Sequence, residues 1–372
     1  MILSFGDHPA GRIVAGLALS LLVACADSSG EGGARDRLPP PEASTVADLL
    51  ALDRPIVIAH AGGDFEGPHS TLYAYTQAAL RGVDVLELDV MLTADRVLVV
   101  QHDDTVDRTT EATGPVRELT FAELRDLDNA YWFSGNTWSD HGLPPESYTL
   151  RGIRSGAIPP PSGYSPDDFA VPSFRQLAEA FPNHVLDIEI KIPSDAAGAP
   201  DLAWAIEGAR VLADEITALG RKDSVIVVSF DVDVLVAFRQ FAPDVATSPG
   251  LQTLVSWYLG QPVEFAPTDV AFQVPPVYAG VEVLTPDVLA RARAEGFTVW
   301  VWMNDSSQEN ATFFADLLDR GIDGLLVARP SVALDVIARR SGEVNGRGAI
   351  RSPQASGASP ARTSSRTPEA TS

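Results

Sequence analysis

The chain has a single cysteine, Cys25, among 372 residues, so no intrachain disulfide can form. Basic residues are scarce beside acidic ones, 27 Lys and Arg against 50 Asp and Glu, for a formal net charge of −23. A surface of that sign repels a phosphate backbone and excludes nucleic acid as a partner. It leaves a small phosphate-bearing substrate open, because a bound divalent cation reverses the local field. The apolar run from Ile13 to Ala24, "IVAGLALSLLVA", is too short to cross the ~30 Å of a bilayer's hydrocarbon. No internal repeat of fixed period is present, which excludes a solenoid. Hydrophobic content of 45% and aromatic content of 8% are ordinary for a globular protein with a sizeable core.

The short apolar run ends in Leu22-Val23-Ala24-Cys25. This resembles a bacterial lipoprotein signal with its lipobox, in which Cys25 is lipidated and becomes the first mature residue. Arg12 is the only strong positive charge ahead of the run, and Asp7 opposes it, a departure from the usual pattern. The resemblance implies an exported protein of the bacterial cell envelope, held at a membrane by acyl chains. Residues 1–24 are then the signal, 25–50 a tether rich in Ser, Gly, Glu, Arg and Pro, 51–340 the globular domain, and 341–372 a disordered tail.

Charge sits in an unexpected place inside the domain. Glu87 and Asp89 interrupt the apolar run Val85 to Val90, and a second run, Val97 to Val100, follows after Thr93-Ala94-Asp95-Arg96. That connection is too short for a parallel crossover, so the two runs are expected to pair as an antiparallel hairpin. A turn centred on Ala94 and Asp95 places Leu92 opposite Val97, Asp89 opposite Val100 and Glu87 opposite His102. Alternation then puts Glu87, Asp89 and His102 on one face, with opposed Cβ atoms about 5 Å apart. The strand "VLDIEIK" repeats the anomaly, with Asp187, Glu189 and Lys191 on one face. A bare carboxylate in a dry interior costs several kcal/mol, so these acids must be hydrated at a strand end, protonated, paired with cations or bound to a metal. Three carboxylates form an all-oxygen site suited to Ca²⁺ or Mg²⁺ rather than zinc.

Apolar strands at 56–60, 85–90, 97–102, 185–191, 224–230, 270–274, 298–304 and 324–328 alternate with amphipathic stretches such as 71–81, 174–181, 201–219 and 286–296. The order implies an α/β fold with helices around a largely parallel sheet: a distorted (β/α)₈ TIM barrel, or its open, doubly wound rival. Residues 129–172 break the alternation. They carry Tyr131, Trp132, Phe133, Trp138, Tyr148 and Tyr164 among prolines and glycines, and read as a loop-rich insertion that either borders the substrate or packs on itself.

His60 ends the first strand in "IVIAHAGG", at the end of a barrel strand where catalytic groups gather. Together with "ELD" at 87–89, "QHDDTVDRTT" around His102, "IEIK" at 188–191, "VVSF" at 227–230 and "GIDGLL" near the end, it resembles the glycerophosphodiester phosphodiesterase family over about 55–335. The resemblance implies that Glu87, Asp89 and Glu189 hold one divalent cation, Ca²⁺ or Mg²⁺. It makes His60 and His102 the acid and base, and sets Lys191 on the phosphate. The implied substrate is a glycerophosphodiester, cleaved to glycerol 3-phosphate and an alcohol. Whole phospholipids are a further substrate class, and a silent lipoprotein that binds phosphorylated ligands is the non-enzymatic alternative.

Two motifs depart from the family pattern. Ala61 stands where members usually carry a phosphate-binding arginine, as in an "HAGG" form similar to a bacterial variant, and His69-Ser70-Thr71 replaces Glu-Asn-Thr. Lys191, Arg108 and Arg154 are the candidate substitutes for the arginine. Trp302 shares a face with Trp300 and Asn304, and either lines the substrate pocket or fills the core. His8, His69, His141 and His184 read as structural or solvated, with His69 the next to test because it lies near His60 in sequence.

Overall fold

A computed structural model of the protein describes residues 33–349. Eleven strands occur among them: β1 (Ile56–Ala59), β2 (Val85–Leu92), β3 (Leu98–Val100), β4 (Val185–Ile190), β5 (Val225–Val228), β6 (Ala246–Thr247), β7 (Ala271–Val274), β8 (Val277–Tyr278), β9 (Val281–Glu282), β10 (Thr298–Trp302) and β11 (Gly324–Val327). Eight of them run parallel in the order β6-β5-β4-β2-β1-β11-β10-β7, with β3 attached to β2. The two ends of that path meet at one parallel bridge, Thr247 to Asp269, which makes the sheet a nearly closed barrel. Side chains reinforce this seam. Thr247 Oγ1 donates to Asp269 Oδ1 at 2.7 Å, and Arg239 reaches both residues.

Alternation along the strands sorts their side chains. Val57, Leu86, Leu88, Val90, Leu186, Ile188 and Ile190 join the core layer shared with the surrounding helices. The helix Leu202–Ala218 shows how that layer forms. Asp201 caps its first turn by accepting from Trp204 N at 3.1 Å, and Ala205, Gly208, Ala209, Leu212, Ala213 and Ile216 bury one stripe against the sheet. The opposite strand faces point into the barrel. Its lower end is apolar, with Ile56, Ile58, Val85, Val185, Ile226 and Trp300 packed together. One step up, Glu87 lies beside Asp187, and one step further Asp89 lies beside Glu189. The anomalous acids are therefore two successive interior layers above an apolar floor.

The floor is sealed from outside by a helix, Val46–Leu50, whose N-cap Thr45 accepts from Asp48 N and whose Val46 and Leu49 join the lower cluster. The tether expected over 25–50 thus does not reach 50. Ala43, Val46 and Leu49 are apolar at a spacing that a helix end can bury, and they close the barrel. At the other terminus the helix Pro330–Ala349 runs past the boundary expected at 340, so the tail expected to be disordered does not begin at 341. The signal expected over 1–24 and the lipidation site Cys25 lie outside the described residues.

The hairpin forms, one residue out of the expected register. Leu92 faces Leu98 and Val90 faces Val100, so the connection is the three residues Ala94, Asp95 and Arg96. Arg96 adopts a left-handed φ of 64°, the geometry of a three-residue hairpin loop, and Thr93 braces it by donating from Oγ1 to Asp95. Because β3 ends at Val100, neither acid faces His102 across a ladder. Strand β6, two residues long and not among the expected strands, supplies the eighth parallel strand of the barrel.

Candidate active site

The strand C-termini converge on one cavity of about 730 Å³ whose lining includes His60, Glu87, His102, Glu189, Lys191 and Trp302. Asp89 is almost fully buried, with its Oδ1 3.6 Å from Lys191 Nζ. Every site residue expected in the described part of the chain is therefore gathered at one end of the barrel.

His60 owes its position to a tight backbone turn. Ala61, Gly62 and Gly63 all have left-handed φ values, 45°, 85° and 85°. A Cβ on Gly63 would sit 2.8 Å from Pro330 Cγ, so glycine is needed there for space as well as conformation. The turn points the Ala61 amide at Glu87, which accepts from it at 2.8 Å, and brings Asp64 Oδ1 within 3.0 Å of His60 Nδ1. Burial disfavours the charged ring, but Asp64, then Glu87 and Asp89, more than offset it and raise His60 from 6.5 to about 10.

His102 is oriented in the same way by a different route. Gln101 N still donates to Asp89 O at 3.0 Å, after which the chain turns from the sheet and His102 Nδ1 meets Asp103 Oδ1 at 2.6 Å. Arg108 holds Asp103 from the far side through Nε at 2.5 Å and Nη2 at 3.2 Å. Burial opposes ionisation of Asp103, yet the hydrogen bonds from His102 and Arg108 win and hold its carboxyl below the usual range. The two imidazole centroids are 6.4 Å apart, so two His–Asp pairs face one another across the cavity.

A third ring joins them. His69 is 6.1 Å from His60 and 5.9 Å from His102, lines the same cavity and shares a 2.8 Å hydrogen bond between Nδ1 and Ser70 Oγ. Burial first, then Arg108 and the neighbouring histidines, lower its pKa well below 6.5, so it is neutral. The sequence reading of His69 as structural or solvated is thus corrected in its placement: the left-handed turn after His60 folds it back over the site. Asp64 and Asp103 were also missed. The only signal was their position, four residues after His60 and one after His102.

The acids carry the electrostatic cost of their burial. Glu87 is raised well above the carboxylate range by burial and then by the charge of Asp89. Asp187, hydrogen-bonded by Gln273 Nε2 at 2.9 Å, is pushed up to about 7 by burial. Lys191 Nζ lies 2.9 Å from Glu189 Oε1. Both oxygens of Asp89 are buried without a hydrogen-bond partner. That is an unmet demand for positive charge, and the donor set, Glu87, Asp89 and Glu189, has the oxygen chemistry of a Ca²⁺ or Mg²⁺ site. Among the described residues no three such groups converge closely enough to form a ready-made cage, and Lys191 reaches between two of the three.

Trp302 stands at the end of β10 with its ring 6.1 Å from Phe230, on the cavity wall, while Trp300 is buried in the floor. Of the candidate cations, Lys191 and Arg108 line the cavity. Arg154 does not: it pairs with Asp126 and Asp167 and donates to Arg125 O on the outside, and is excluded as a substitute for the missing arginine. The insertion packs largely on itself. Its Tyr131, Trp132 and Tyr148 enclose the Arg151 guanidinium at 4.0–4.6 Å, and only Trp138 of residues 129–172 reaches the cavity.

A model of the glycerophosphoryl diester phosphodiesterase family matches residues 60–332. The chain belongs to that family, whose members are phosphoric diester hydrolases. Human glycerophosphodiester phosphodiesterase 1 is 44% identical over 92 residues, which span 25% of this chain and 28% of the human protein. The Bacillus subtilis glycerophosphodiester phosphodiesterase is 25% identical over 295 residues, 79% of this chain and 90% of that one. A phosphodiesterase from Oleispira antarctica, solved in complex with the product sn-glycerol-3-phosphate, shares the fold with a TM-score of 0.55 at 19% identity, over 77% of this chain and 97% of that one.

Proposed function

We propose that the protein hydrolyses glycerophosphodiesters to glycerol 3-phosphate and an alcohol, with His60 and His102 as the acid–base pair. The observation that carries this is the pair of imidazoles, each with Nδ1 on a carboxylate, facing one another beside the buried acids. A carboxylate on Nδ1 fixes the ring and leaves Nε2 to exchange the substrate's proton, the logic of a His–Asp couple in hydrolases. Asp64 on Nδ1 favours the protonated ring of His60, which suits it to protonate the departing alkoxide, and His102 then takes the proton of the attacking hydroxyl. Lys191 and Arg108 flank the phosphate position and assume the task of the arginine replaced by Ala61. Glu87, Asp89 and Glu189 would hold one Ca²⁺ or Mg²⁺, which supplies charge neutralisation at a non-bridging phosphate oxygen. Trp302 offers an apolar wall to the glycerol or headgroup.

Residues 1–24 act as a lipoprotein signal, Cys25 carries the lipid, and the enzyme works at the bacterial cell envelope as an anchored "HAGG" member of its family. The "LVAC" motif supports this.

Glycerophosphocholine hydrolysis, with and without chelator, tests the activity. The expected result is turnover abolished by EDTA and restored by Ca²⁺ or Mg²⁺, and falling about 10²-fold or more in His60→Ala and in His102→Ala. Tight binding of the substrate without turnover would instead identify a silent ligand-binding lipoprotein.

A further inference from the structure

The cavity is far larger than a glycerophosphate group requires. Its volume of about 730 Å³ falls in the upper part of the ~300–1,000 Å³ range of small-ligand sites, and only one pole of it carries the histidines, acids and Lys191. The rest is an apolar arm. One wall is the helix Leu251–Tyr258 with its C-cap Leu259. Leu251, Leu254, Val255, Tyr258 and Leu259 recur at the spacing of one helix stripe, and all five line the cavity. Such a stripe ordinarily faces a core. Here Trp257 is the only fully buried residue of the helix, and Val255 and Leu259 are 37% and 63% exposed.

The opposite wall is the hairpin of β8 and β9, turned by Ala279 and Gly280, both left-handed as a tight two-residue turn requires. It stands apart from the barrel sheet and also presents apolar side chains, Tyr278 and Val281, to the cavity. It is held in place by polar contacts. Asn304 Nδ2 donates to Val277 O at 2.7 Å, and Tyr258 Oη donates to Glu282 O at 3.2 Å, which joins the two walls. Trp138 and Phe230, likewise exposed, extend the apolar lining. Among the described residues, most of the large apolar side chains left exposed therefore sit around one mouth, and exposed patches of that kind mark binding grooves.

We propose that this arm binds one aliphatic chain of the substrate, so that the enzyme favours single-chain amphiphilic phosphodiesters such as monoacylated glycerophosphocholines over bare glycerophosphodiesters. The inference rests on the hydrolytic reading above. The arm is continuous with the catalytic pole, so a chain seated in it belongs to the molecule whose phosphate is attacked. A net charge of −23 disfavours the alternative occupant, an anionic bilayer surface. The chemistry is unchanged: water adds across the P–O bond, its hydroxyl to phosphorus and its proton to the departing oxygen. A monoacylated glycerophosphocholine gives monoacylglycerol phosphate and choline. A glycerophosphoalkanol gives glycerol 3-phosphate and the long-chain alcohol.

The test compares kcat/KM for glycerophosphocholine with two series kept below their micelle concentrations, 1-acyl-glycerophosphocholines and glycerophospho-n-alkanols, with chains of about six to about twelve carbons. The expected result is a rise of about two- to fourfold per methylene in one series, fourfold being the ceiling set by ~0.8 kcal/mol per buried CH₂. The series that rises shows whether the chain sits on the glycerol or on the alcohol. The double variant Val255→Asp, Leu259→Asp, altered at exposed positions, is expected to flatten the rise while its circular dichroism stays that of the parent. Flat series alongside good turnover of glycerophosphocholine would overturn the inference and leave the hydrolytic reading standing. A diacyl phospholipid cleaved as well as its monoacyl counterpart, or a double variant with an undiminished rise, would also overturn it. No turnover of any substrate would overturn both.

Discussion

At the scale of single residues, the site holds two imidazoles on carboxylates rather than supplying unusual groups. Asp103 fixes His102 and is itself fixed by Arg108. Asp103→Asn is therefore expected to lower kcat about 10²-fold or more with little change in KM, and Asp103→Glu, which retains the charge, to recover part of the loss. Steady-state kinetics across pH check this, because a purely structural role would not reshape the pH profile. The acids and Lys191 were legible in the sequence because charge inside a β-branched run violates the pattern of a buried strand. His69, Asp64 and Asp103 were not, since nothing periodic marks them. Their placement depends on the left-handed turn at Ala61–Gly63 and on the departure of the chain from the ladder after Val100.

At the scale of elements, the long strands and helices follow their apolar periodicity, and the departures occur where an element is short or a turn lacks its usual residue. Arg96 takes a left-handed conformation that glycine or asparagine would have advertised, and the hairpin register moved by one. Strand β6 has two residues and so no period to read. The helix Val46–Leu50 is equally brief, yet it seals the barrel floor, and Leu49 is 2% exposed. Leu49→Ala is expected to cost about 2–4 kcal/mol in urea denaturation, because the rigid strands around it cannot collapse into the space left behind. A cost within about 0.5 kcal/mol would show that the floor is closed without it.

For the whole molecule, a histidine remote from the site is expected to contribute acid sensitivity. Burial, and then Arg221, lower His184 from 6.5 to about 4. Between those values the unfolded chain binds a proton there that the folded chain refuses, so stability falls as pH drops from about 6.5 to about 4 and this loss levels off below. The window is worth about 3 kcal/mol at most. His184→Gln is expected to have a shallower decline of unfolding free energy across it, measured by denaturant titration at stepped pH; parallel declines would place the sensitivity elsewhere. The barrel as a whole was readable from the alternation of strands and helices, but its closure was not, since an open sheet has the same alternation. What distinguishes the two is the seam at Thr247 and Asp269, where a single bridge is supplemented by Arg239 and two side-chain oxygens. The tube is therefore riveted, not zipped, along the side opposite β1 and β2. Whatever strains that rivet widens the half of the molecule bearing the apolar arm before it disturbs the strands that carry the acids.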